Sequence, residues 1–156
     1  MTNGLFTELL LITLTLLLIA AAVIDIRTFT ISNRLNLTVA LLAPLYWLSI
    51  GLPAQEIAWQ VATAVAVFGL LAIAFFLRMM GGGDVKLAAA LALWFSPLGT
   101  FRFLVWMSVA GGILTLVVIV IHKLKKKEGR PEIPYGVAIA FGGLAILTQR
   151  FLNQFA

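Results

Sequence analysis

Six carboxylates are available to this 156-residue chain, and two of them stand where a charge is costly. Asp25 closes a long apolar run in "AAVIDIRTFTISN", and Asp84 follows three glycines in "MMGGGDVKL". A carboxylate against apolar helices is expensive and marks a working site or a paired charge. Glu8 lies near the far end of the first apolar run, Glu56 in a turn, and Glu128 and Glu132 in a basic loop. Those four read as solvated. Asp25 and Asp84 lie on different apolar segments, both near the same face, where a packed bundle brings them together. Two carboxylates in a half-desolvated site cannot both ionise easily: one keeps its proton and the other becomes a base. Such a dyad titrates as a pair, so sequence does not say which member is the acid. A plainer reading pairs Asp25 with Arg27 and Asp84 with Lys86 as juxtamembrane salt bridges. Spacing alone does not choose between the two.

Other chemistries are excluded by composition. The chain has no cysteine and a single histidine, His122, which removes thiol catalysis, cysteine-based zinc sites and histidine metal clusters. No metal and no cofactor is expected. "GGGDVK" lacks the spacing of a phosphate-binding loop, and no strand precedes it. Gly81 and Gly83 instead leave room for an extended substrate backbone beside Asp84 and free the local dihedrals. The same run also fits a flexible turn.

The elements that must position these residues are membrane helices. Mean hydropathy is +1.09, and only 11% of residues are charged. Six apolar segments can be laid out: Leu5–Ile24, Leu35–Ile50, Ile57–Leu77, a short one at Leu87–Leu98, Phe103–Ile121 and Tyr135–Leu152. Runs near 20 residues cross a bilayer. The expectation is an all-α membrane protein, a six-helix transmembrane bundle forming one domain over residues 1–156, with no soluble domain. No Lys or Arg precedes Arg27, so the first segment lacks the basic start of a signal peptide and is expected to remain as a helix. The fourth segment is short at about 18 Å. Extending it across a membrane draws the glycines and Asp84 towards the hydrocarbon, where non-helical backbone survives only buried in protein or beside a wet cavity.

The net charge of +5 follows from topology. Arg27, Arg34, Arg78, Lys86, Lys123, Lys125, Lys126, Lys127 and Arg130 fall in connections 25–34, 78–86 and 122–134, leaving only Arg102 and Arg150 on the other side. The positive-inside rule puts those three connections in the cytoplasm and both termini outside. Nucleic acid is not an expected partner; the "HKLKKKEGR" run anchors topology and touches anionic lipid. Tyr46, Trp47 and Trp59 bracket an outer turn as an aromatic belt would. Gly111, Gly112, Gly142 and Gly143 read as packing residues. Asn33 is expected to cap the second helix rather than bond to the site.

Three patches, in order, resemble the type IV prepilin peptidases, membrane aspartic proteases of the G-x-G-D class. "DIRTFTISN" looks like the family's first motif, an aspartate closing helix one, then a basic residue and an Ile-x-Asn. "GGGDVKL" places Gly81, Gly83 and Asp84 on G-x-G-D, with Lys86 following, and "IPYGVAIAFGG" is similar to the family's sixth-helix start. The resemblance implies Asp25 and Asp84 as the catalytic pair, with Arg27, Asn33 and Lys86 as possible supports. The implied activity is cleavage of the short basic leader of prepilins or pseudopilins at the cytoplasmic face of the inner membrane. Larger members carry a cysteine-bearing insertion and also N-methylate their product. This chain has neither cysteines nor that insertion, which places it nearer the short, peptidase-only forms of Tad (Flp) pili or of archaeal flagella and pili.

Two other readings compete. A small proton-coupled transporter or channel subunit would use Asp25 and Asp84 as an ion relay, but needs polar residues deep in spans three, five and six. An intramembrane protease of the presenilin kind expects a Tyr where Ile24 stands and a Pro-Ala-Leu that is absent.

Overall fold

The chain folds as six helices in a computed structural model that describes residues 4–126, 129 and 131–155. They are α1 (Gly4–Thr28), α2 (Asn33–Ser49), α3 (Ala54–Phe76), α4 (Gly82–Ala92), α5 (Pro97–Leu124) and α6 (Tyr135–Phe155). No strand and no soluble domain is evident among the described residues. Lys127, Glu128 and Arg130 of the basic loop lie outside them.

The ends of the helices follow local chemistry. α1 stops where Phe29 turns left-handed (φ 51°) and donates its N–H to the Asp25 carbonyl at 2.8 Å. Ser32, not Asn33, caps α2: its Oγ accepts from the Leu35 N–H at 3.3 Å. The expected cap is therefore displaced by one residue, because Ser32 is the position with extended backbone. Gly51 (φ 64°) makes the tight turn between α2 and α3, which only a residue without Cβ adopts cheaply.

Four of the six, α1, α3, α5 and α6, are long and apolar enough to cross a membrane. α2 has 17 residues and α4 only 11, about 16 Å of helix. All six expected helices are present, four of them long and two, α2 and α4, shorter. Gly82 and Gly83 belong to the first turn of α4, with Gly81 extended before it (φ −72°, ψ 146°), so most of the glycine run is helical. A first turn tolerates this, since its N–H groups have no intrahelical partner and Asp84 compensates one of them.

α4 is buried nearly all round, packed among α2, α3 and α6, while α6 also packs on α1 and α5. Between membrane helices the cohesion comes from close packing and interhelical hydrogen bonds. Gly142 lets α6 approach the Phe103 carbonyl of α5, and Gly143 faces Leu18 and Leu91. The outer aromatic residues do more than line an interface. Trp47 is 9% exposed and donates its indole N–H to Gln60 Oε1 and to the Leu93 carbonyl, both at 2.8 Å, tying α2 to α3 and to the end of α4. Tyr46 stacks on Trp94, whose own indole N–H donates to the Val39 carbonyl. Only Trp59 is exposed as a belt residue should be.

Candidate active site

Asp25 sits on the core-facing stripe of α1, in line with Leu14, Leu18 and Ala21 at helical spacing, so burying that stripe buries the acid as well. It is 2% exposed. Its Oδ2 accepts the N–H of Gly136 at 2.7 Å, in the first turn of α6. A helix start offers free amides and favours negative charge, so α6 supplies the donor that α1 lacks.

Asp84 occupies the first turn of α4 and is 7% exposed. Its Oδ2 accepts the Gly81 N–H at 3.2 Å, and its Oδ1 is buried without a hydrogen-bond partner. Asp84 lies outside the four long spans. Burial first, and the negative charge of Asp25 second, push its carboxyl up to about 7 against the opposing Gly81 N–H. The two aspartates therefore lie close enough to feel each other's charge.

One residue links the two halves. Ile31, 7% exposed in the loop after α1, wedges between the starts of α4 and α6. A Cβ on Gly83 would lie 2.6 Å from the Ile31 carbonyl oxygen, and one on Gly136 would lie 2.7 Å from Ile31 Cδ1 and 2.8 Å from Asp25 Oδ2. A Cβ on Gly81 would meet Asp84 Oδ2 at 2.8 Å. Gly83 is thus small to admit the protein's own backbone, whereas the sequence suggested room for a substrate's. Gly81 does line the open cleft.

That cleft, about 860 Å³, is walled by Asp84, Gly81, Met80, Phe29, Glu132 and Tyr135 among others. Asp25 is not among its walls. Of the two aspartates, Asp84 is the one that borders the cleft.

The neighbouring bases do not neutralise the pair. Lys86 donates to Asn33 Oδ1 at 2.9 Å, joining the starts of α4 and α2, and Arg27 is exposed without a hydrogen bond to either aspartate. Arg27, Asn33 and Lys86 thus surround the site without touching its carboxyls. Asn36, which the sequence did not single out, does more: it is 5% exposed and its Nδ2 donates to the Gly83 carbonyl at 2.9 Å. Its signal was an amide on an otherwise apolar helix face, three residues after a more conspicuous asparagine. Gly136 was legible only as part of the third motif. Among the described residues no three His, Asp or Glu side chains cluster as a metal site would require.

Residues 12–116, a stretch that holds both aspartates and the glycine run, match the type IV leader peptidase family. No curated protein and no solved structure matches the chain.

Proposed function

Since the chain belongs to the type IV leader peptidase family, we propose that it is a membrane-embedded aspartic endopeptidase. Its substrates are prepilin- or pseudopilin-type proteins, whose short basic leader it removes at the cytoplasmic face of the inner membrane. The observation that carries this reading is the buried pair itself: Asp84, which borders the cleft and has an Oδ1 without a hydrogen-bond partner, and Asp25, whose charge reaches it.

The environments suggest a division of labour. Asp84, held up to about 7, keeps the shared proton at rest. Asp25 carries the charge, which the Gly136 N–H stabilises. A water between them loses a proton to Asp25 as its oxygen attacks the scissile carbonyl, while Asp84 gives its proton to the carbonyl oxygen. Collapse of the tetrahedral intermediate breaks the C–N bond: Asp25 gives the proton it took from water to the departing amine, and a hydroxyl of the intermediate returns a proton to Asp84, leaving the leader's carboxyl group, a new N-terminus and the dyad as it began. With no cysteine-bearing insertion, the protein cleaves without methylating, as the peptidase-only forms of Tad (Flp) or archaeal systems do.

An ion relay finds less support. Beyond Asp25 the buried face of α1 continues as Ala21, Leu18 and Leu14, with no group to pass a proton on.

Co-expression with a prepilin-type substrate tests the reading. Wild type should give a leader-sized mobility shift, and Asp25→Asn and Asp84→Asn should each abolish it at unchanged membrane levels. Because the carboxyls act as a unit, the double variant should be little worse than either single one. An Asp84→Asn protein that still processes substrate at a comparable rate would refute the dyad.

A further inference from the structure

Five of the described residues hold left-handed backbone, and at two of them, Gly51 and Gly129, the absence of a side chain makes this cheap. The other three, Phe29 (φ 51°), Arg78 (φ 57°) and Lys126 (φ 48°), carry side chains that this conformation crowds. Each stands just past the end of a long helix: Phe29 after α1, Arg78 after α3 and Lys126 after α5. The end of α3 is a complete Schellman turn. In it the Arg78 N–H donates to the Phe75 carbonyl and the Met79 N–H to the Ala74 carbonyl, both at 2.9 Å. Glycine is the usual residue at the left-handed position of such a turn.

Helix geometry thus accounts for the turns but not for the residues in them. Packing does not account for them either. Phe29 is 44% exposed and Arg78 is exposed too, so burial within the fold does little to offset the crowding. What the two share is their place. Both wall the cleft that Asp84 borders, whereas Lys126 does not. Backbone strain that the fold does not offset collects at working sites.

We propose that Phe29 and Arg78 grip the peptide in this cleft, Phe29 as an apolar platform against it and Arg78 as a donor to its carbonyl oxygens. The inference rests on the peptidase reading above. An extended peptide brings backbone carbonyls that need donors, and a guanidinium carries five N–H donors in a planar fork. A half-exposed phenyl ring sheds water on contact with that peptide, a gain the fold alone does not give it. Phe29 is also fastened to the dyad, because its N–H donates to the Asp25 carbonyl at 2.8 Å. The turn that places the ring therefore ends the same helix that carries the acid. The part of both residues is binding, and the chemistry stays with the carboxyls.

The test replaces each of the three residues by glycine. It reads the thermal midpoint in detergent, and KM and kcat for a prepilin-type substrate in proteoliposomes. Glycine keeps the backbone N–H groups of these turns and relieves the crowding, so all three variants should raise the midpoint by about 2–4 °C. Phe29→Gly and Arg78→Gly should each raise KM about tenfold and leave kcat within about twofold of wild type, the mark of lost binding rather than lost chemistry. Lys126→Gly should leave both constants unchanged. Phe29→Asn and Arg78→Asn, whose side chain also tolerates the left-handed turn, should repeat the rise in KM if a glycine variant fails to fold. Phe29→Tyr keeps the ring and should keep the wild-type KM. A wild-type KM in Phe29→Gly and Arg78→Gly, or a lowered midpoint in both, shows ordinary helix ends and overturns the proposal while the peptidase stands. An equal rise in KM for Lys126→Gly also overturns it, by tracing the effect to looser helix ends. Failure of wild type to cut the substrate overturns both.

Discussion

The three glycines before Asp84 should not be equivalent, and their differences can be worked out from what a methyl group would meet. On Gly83 it would lie 2.6 Å from the Ile31 carbonyl oxygen, a backbone atom that cannot rotate away. A comfortable carbon–oxygen contact is roughly 0.7 Å longer, so the start of α4 must slide by about that much. Asp84 is the next residue, and its carboxyl would move with it. Misplacing a catalytic group by about 1 Å costs about a hundredfold, so Gly83→Ala should lose about thirty- to a hundredfold in cleavage rate. On Gly82 the methyl would meet the Phe75 ring edge at 3.3 Å, and that ring is 45% exposed and free to swing. Replacing a helical glycine by alanine also gains up to about 1 kcal/mol of helix stability. Gly82→Ala should therefore cut within about threefold of wild type. The assay is the initial rate of leader removal in proteoliposomes, normalised to enzyme, beside a thermal midpoint in detergent. Equal losses in Gly82→Ala and Gly83→Ala, or a near-wild-type rate for Gly83→Ala, would show that the glycines serve only as a flexible turn.

Other consequences can be checked separately. If Asp84 must enter each cycle protonated and titrates at about 7, the alkaline limb of the rate profile should fall about tenfold per unit above that pH; a rate still flat at pH 9 contradicts the assignment. Trp47→Phe removes the donor to Gln60 and Leu93 far from the carboxyls, so it should lower stability by about 1–3 kcal/mol in denaturant titrations while activity per folded molecule persists. Reporter fusions after Lys126 should read as cytoplasmic and those after Gln149 as exported, and the reverse would move the aspartates to the wrong face. Mature pilin made with this protein alone should show a free N-terminus by mass spectrometry, without the added mass of a methyl group.

What the sequence determined rests on properties that each residue carries by itself. Hydropathy is a property of each side chain, so apolar runs marked all six helices; bounds agree within about four residues for α1, α2, α3 and α6, whereas α4 lies five to six residues earlier than its run and α5 begins six residues before its own. The same logic exposed Asp25 and Asp84, because an acid on an apolar segment stands out without any neighbour's help. Which way a side chain points depends on helices distant in the chain, and only the tertiary structure decided that. Tyr46 and Trp47 read as lipid-facing aromatics but turn inward, because Trp94, Gln60 and the Leu93 carbonyl offer stacking and hydrogen bonds that lipid cannot. Asn33 looked like a cap, yet Lys86 claims its oxygen and Ser32 holds the helix start. Ile31 carried no signal of its own, Asn36 only that of an amide on an apolar helix face, and Gly136 only that of a motif. Their importance is relational: an amide beside Gly83, a side chain wedged between two helix starts, and a bare Cα that lets an N–H reach Asp25 at 2.7 Å. Gly112 shows the converse, since four similar glycines in the sequence became three that pack and one that faces open space once the helices were placed.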